Sequence, residues 1–122
     1  MVEQKYIDYW RAKRANYQAQ CKVWEQEAWA EAESAVMLLR DRFGATSAIV
    51  FGSLVKDKFG EDSDIDLAVE GIEPARFFEA LSAVNQCSDR WIDLKPMESL
   101  EPRFKERVIR TGRSLDEKPL RS

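Results

Sequence analysis

The chain has 122 residues, 44% of them hydrophobic and 34% charged, with five glycines and four prolines; this is a folded composition with room for one globular unit and one appended element. Nineteen Lys and Arg against 22 Asp and Glu leave a net charge of −3, which supplies no field to draw in nucleic acid or an anionic membrane. Histidine is absent, so imidazole bases, Ser-His-Asp and Cys-His nucleophile systems and His-based zinc sites are excluded, and catalysis must run on carboxylates, hydroxyls, Lys or Arg.

Residues 3–43 contain neither Gly nor Pro and are dominated by Ala, Glu, Gln, Lys and Arg, which predicts one helix stopped by Gly44. Tyr6, Trp10, Tyr17, Cys21, Trp24, Ala28, Ala32, Ala35 and Leu39 form an apolar, aromatic stripe along it. Unbroken, it would run roughly 60 Å against a body of roughly 35 Å, so it must bend or its first half must project. After Gly44, residues 48–51 read as a buried strand closed by a turn at Gly52 and Ser53, and residues 56–63 as a short helix or loop. Residues 64–69 alternate with period two, a half-buried strand ending before Gly71. Pro74 opens a second helix through Phe77, Phe78, Leu81 and Val84. Residues 91–95 form a third strand ended by Pro96, and residues 102–110 a last helix terminated by Gly112. The fold class is α/β (α+β): a small mixed sheet with helices on one face, plus the long N-terminal helix. Residues 1–43 read as a helical extension and residues 44–122 as the globular domain.

Cys21 and Cys87 belong to no C-x-x-C and read as small buried hydrophobes of a reducing compartment rather than a disulfide. No signal-peptide core and no membrane-spanning run is visible, so the expected location is the cytoplasm, with no membrane partner.

The chemistry lies in three aspartates. Period-two alternation sets Asp64 and Asp66 on one strand face opposite Ile65, Leu67 and Val69, and sets Asp93 with Trp91 and Lys95 opposite Ile92 and Leu94. If both strands bury their aliphatic sides, the carboxylates share the open face, and neighbouring strands lie about 4.8 Å apart. Three such charges repel and raise one another's pKa unless a cation joins them; oxygen ligands alone select Mg²⁺ or Mn²⁺. Just upstream, Gly52 and Ser53 make a tight turn whose backbone can approach an anion closely, and Lys56 adds a point charge there. An Asp-x-Asp by itself is commonly a solvated strand edge, and a lone loop Lys a solvated one. Gly52, Ser53 and Asp93 are what raise this Asp-x-Asp above that reading.

Gly52 and Ser53, then ten residues, then Asp64, Ile65 and Asp66 is similar to the G-S-x10-D-x-D signature of the DNA polymerase β-like nucleotidyltransferases, with Asp93 at the third carboxylate's place. A chance match in a chain this short is on the order of 10⁻³. The resemblance covers roughly residues 45–115, and the absence of a second domain resembles the minimal nucleotidyltransferases, the MNT antitoxins of HEPN/MNT toxin–antitoxin pairs. It implies that Gly52 and Ser53 grip the triphosphate of ATP, that Asp64 and Asp66 ligate two Mg²⁺, and that Asp93 completes one metal site and helps deprotonate the acceptor. It further implies transfer of AMP to a hydroxyl, a Tyr by preference, of a HEPN ribonuclease toxin; the alternative is a non-catalytic antitoxin that neutralises the toxin by binding alone. Where the family often writes Ala-Arg-Gly, this chain has Val55, Lys56 and Asp57. The N-terminal helix lies outside the resemblance. Residues 1–22 carry a net charge of +3 and residues 23–42 a net charge of −3, a gradient complementary to an antiparallel copy, hence a homo-oligomer, or to a partner helix.

Overall fold

The computed structural model describes residues 2–115. Helix α1 spans Val2–Phe43, about 63 Å at 1.5 Å per residue, and ends where Gly44 takes the left-handed conformation (φ +77°) and the Ala45 N–H donates back to the Leu39 carbonyl at 3.1 Å. The chain then reverses into β1 (Ser47–Phe51), turns through a short 3-10 segment (Gly52–Leu54), and returns as β2 (Ile65–Glu70). A 3-10 turn at Pro74–Arg76 leads into α2 (Phe77–Gln86), which crosses over to β3 (Ile92–Pro96). Helix α3 (Pro102–Thr111) starts at Glu101, whose carboxylate accepts from the Phe104 N–H, and is followed by the two-residue strand β4 (Arg113–Ser114). The sheet order is β3-β2-β1-β4, with β1 antiparallel to β2 and β4, and β2 parallel to β3.

Two apolar layers sandwich the sheet. Ala48, Val50, Ile65, Leu67, Val69, Ile92 and Leu94 face α1 and α2, where Ala28, Ala32, Ala35, Val36 and Leu39 of α1 meet Ala80 and Val84 of α2. The row of alanines on α1 lets the helix lie close on the strands. Ile49, Phe51 and Ala68 face the other way, onto Met97 and Val108, with the Phe104 ring edge-on to Phe51 at 5.6 Å. The mixed sheet and long helix match the sequence expectation, but α3 does not join the other helices on one face. Its face of Phe104 and Val108 finds the apolar side chains that the alternation of β1 turns away from α1.

The first half of α1 projects. Residues 3–20 are exposed throughout, whereas Ala28, Ala32 and Leu39 are fully buried. The helix thus runs on as one element from a free arm into the core of the body. Arg90 fastens its middle, with its guanidinium 3.0 Å from Glu27 and 3.3 Å from Glu31. Strand β4 is an element that sequence periodicity did not suggest; two residues are too few to show a period, and the strand exists because Gly112 packs so close to Ile49 and Val50 that a Cβ would collide. The Leu115 N–H then donates to Ala48, and its carbonyl accepts from Arg40 at 2.8 Å. Both cysteines are free, but neither is buried: Cys21 is half-buried at the root of the projecting half of α1, and Cys87 is exposed just past the end of α2. No described helix is long and apolar enough to cross a membrane.

Candidate functional site

The register of the sheet assembles the site. Asp66 is the cross-strand partner of Phe51 on β1 and of Asp93 on β3, so the parallel pairing of β2 and β3 sets two carboxylates side by side on the α3 face. Asp64 stands one residue ahead of β2 and is exposed. Gly52 follows Phe51 with φ +81°, and a Cβ there would collide with the Asp66 carboxylate. Only glycine lets the turn pass this close to the acid. The turn is closed by the Gly52 carbonyl, which accepts from the N–H groups of Val55 and Lys56 at 3.2 and 3.1 Å. Ser53 is half-buried in the turn, its carbonyl accepting from the Lys58 N–H at 3.0 Å, and Lys56 is exposed just beyond.

Burial, then the neighbouring Asp93 and Asp64 charges, push the Asp66 carboxyl up to about 6, against a partial opposing pull from Lys95. Lys95 is the functional neighbour that the motif did not include: its ammonium sits 3.3 and 3.2 Å from the two oxygens of Asp93. Its place two residues after Asp93 on the same strand face was the available signal. Asn85 is a second such residue. Its side-chain oxygen accepts from the Ile92 N–H at 2.7 Å while its amide donates to the Ile92 carbonyl at 3.0 Å, clamping the start of β3 one residue before Asp93. Nothing in a helical sequence pattern marks that role.

Of the expected site residues, Gly52, Ser53, Asp64, Asp66 and Asp93 converge on one end of the sheet. Among the described residues, however, no three acidic or cysteine side chains are already arranged to hold a metal ion, because Lys95 engages Asp93 and Asp64 stands free of the strand. The donor chemistry nevertheless fits a hard divalent cation. The ligands are all carboxylates, and Asp66, raised first by burial, is raised further by the Asp93 and Asp64 charges, which Lys95 opposes.

Asp57 has φ 62°, the one positive φ at a non-glycine among the described residues. It stands where the resembling family often writes Gly, so the backbone kept the turn while the residue changed. Its carboxylate is held 3.2 Å from the Lys22 ammonium on the arm.

The sequence profile of the Polymerase beta, Nucleotidyltransferase family matches residues 33–119. The chain belongs to this family. Among solved structures it is similar to a toxin–antitoxin complex with AMP-PNP, at 24% identity and a TM-score of 0.61 over 70% of this chain and 73% of that one. It is similar to the toxin–antitoxin MntA-HepT, at 21% identity and a TM-score of 0.57 over 74% and 73% of the two chains. A third likeness is to a tri-AMPylated Shewanella oneidensis HEPN toxin in complex with MNT antitoxin, at 21% identity and a TM-score of 0.58 over 75% and 73%. At these identities the likeness is one of fold. No curated protein sequence matches the chain significantly.

Proposed function

We propose that this chain is an antitoxin that transfers AMP from ATP to a hydroxyl, by preference a tyrosine, of a HEPN ribonuclease toxin. The observation that carries the reading is the juxtaposition of the glycine turn with the Asp66–Asp93 pair on parallel strands. A family of nucleotidyltransferases and structural neighbours that include an AMP-PNP complex and an AMPylated toxin support it. Asp64, Asp66 and Asp93 would hold Mg²⁺ or Mn²⁺, which when bound offsets the charge of the attacking and leaving oxygens. Gly52 and Ser53 receive the triphosphate by close backbone approach, with Lys56 as a point charge beside them. The acceptor oxygen forms a bond to the α-phosphorus as the bond to pyrophosphate breaks, the hydroxyl proton passes to the Asp93 carboxylate, and pyrophosphate leaves.

One observation favours a second reading, neutralisation by binding alone: Lys95 already pairs with both oxygens of Asp93. Intact mass spectrometry of a HEPN-type toxin incubated with the chain, ATP and Mg²⁺ separates the two. Transfer adds whole AMP masses to the toxin and silences it; silencing without a mass change establishes the binding-only antitoxin.

A further inference from the structure

The reversal at Gly44 sends β1 back alongside α1 toward the N-terminus of the helix, so β1 ends, and β2 and β3 begin, at the end of the body from which the arm leaves. Contacts confirm the direction. Glu27 and Glu31 meet Arg90 just ahead of β3, Lys22 meets Asp57 in the loop after Gly52, and the Tyr17 hydroxyl lies 3.2 Å from where a Cβ on Gly60 would stand. The arm therefore overhangs the end carrying Gly52, Asp64, Asp66 and Asp93. Trp10 stands about 10 Å, and Tyr6 about 16 Å, beyond Tyr17 along the helix axis.

What the arm shows to solvent is the material of an interface. Tyr6, Tyr9, Trp10 and Tyr17 are 51–64% exposed, Trp10 packing edge-on to Tyr6 at 6.1 Å and to Tyr9 at 5.5 Å. At its root a cavity of about 620 Å³ opens between the helix and the loop, lined by Tyr17, Cys21, Glu25, Asp57 and Phe59 among others. The charge narrows the occupant. Residues 1–22 carry +3 and the remaining hundred −6. A nucleic acid is the poorer fit, because Lys13 already sits over the Tyr9 and Trp10 rings at 5.6 and 5.9 Å, where bases would stack, and the remainder of the chain carries net negative charge. Two free arms laid against each other bring +3 to +3, and the antiparallel match of the charge gradient needs residues 23–42, whose apolar face at Ala28, Ala32 and Leu39 is already buried in the body. A protein surface with an apolar cleft rimmed by carboxylates complements both the rings and the charge.

We propose that the free half of α1 is a docking arm that holds a partner protein by such an acid-rimmed apolar cleft, over the carboxylate end of the sheet, so that the acceptor hydroxyl is presented to Asp66 and Asp93. This rests on the transferase reading, deepening it by naming the surface that selects the acceptor. The family profile begins only at residue 33, so the arm lies outside the matched core.

The test uses the full chain and two arm variants, Tyr6→Ala with Trp10→Ala, and Lys13→Glu with Arg14→Glu, with a HEPN-type toxin that the wild-type chain neutralises as probe. All four positions are exposed, and circular dichroism checks the fold. Partner affinity should fall about 100-fold in the aromatic variant, the scale of losing two anchors, and in the charge variant the salt dependence of binding should flatten. ATP binding by calorimetry should stay at the wild-type level in both, and transfer should return when the partner is raised above its weakened dissociation constant. Unchanged partner affinity in both variants overturns the proposal, as does a wild-type chain that fails to bind the probe. So does an arm-dependent dimer of the chain by light scattering, or arm-dependent binding of a single-stranded RNA oligonucleotide. A wild type that binds the partner through the arm but binds no ATP defeats the transferase reading and leaves the docking surface standing.

Discussion

Replacing Asp66 by Asn should stabilise the metal-free protein at neutral pH, and only there. The carboxyl moves from 3.8 to about 6 on folding, so the folded chain holds its proton to a higher pH than the unfolded chain does. Stability from this group is therefore full below the unfolded value and is lost as pH rises through the folded one. Taken at face value, the shift amounts to about 3 kcal/mol; because Asp66 is only half-buried, solvent screening reduces this to about 1–2 kcal/mol. Asn keeps the shape and removes the charge that faces Asp93 and Asp64. Urea denaturation in a chelator from pH 4 to 8 reads the effect: the variant should exceed wild type by that amount at pH 7–8, roughly 4–8 °C in Tm for a chain of this size, and the gap should close toward pH 4. Added Mg²⁺ should narrow the gap from the other side by stabilising wild type alone. A variant less stable than wild type at pH 8, or a gap that does not change with pH, would refute the argument that the acids strain one another.

Gly52→Ala places a Cβ against the Asp66 carboxylate at φ +81°; it should lower stability by about 1–2 kcal/mol and abolish ATP binding, the calorimetric signal deciding. Lys95→Met removes the cation that pairs with Asp93 and whose charge also opposes the rise at Asp66; the Asp66 carboxyl should titrate still higher by carbon-detected NMR, and a titration that moves down or stays put contradicts its assigned role. Leu39→Ala empties a fully buried position between α1 and the sheet and should destabilise by about 2–5 kcal/mol in denaturant, whereas Tyr6→Ala on the free arm should leave stability within about 0.5 kcal/mol.

The sequence by itself determined most of the elements and the family. An unbroken run without Gly or Pro made α1, period-two alternation put Asp66 and Asp93 on one strand face, and the spacing from Gly52 to Asp66 marked the family, because each of these is a local property of the chain. The tertiary structure decided what local pattern cannot carry. Parallel pairing of β2 with β3 puts Asp66 opposite Asp93, a register set by contacts across α2 rather than by any residue near either acid. The site of the arm's release was open in the stripe, since Tyr17 and Ala32 sit on the same helix face; the sheet ends before it reaches Tyr17, so one side chain stays in solvent and the other is buried. Asn85 entered the site for the same reason, whereas Lys95, two residues after Asp93 on one strand face, follows from local alternation. An amide clamp depends on where a helix meets a strand, and that meeting is settled by the packing of Ala80, Val84, Ile92 and Leu94 in the core, not by the sequence around the amide.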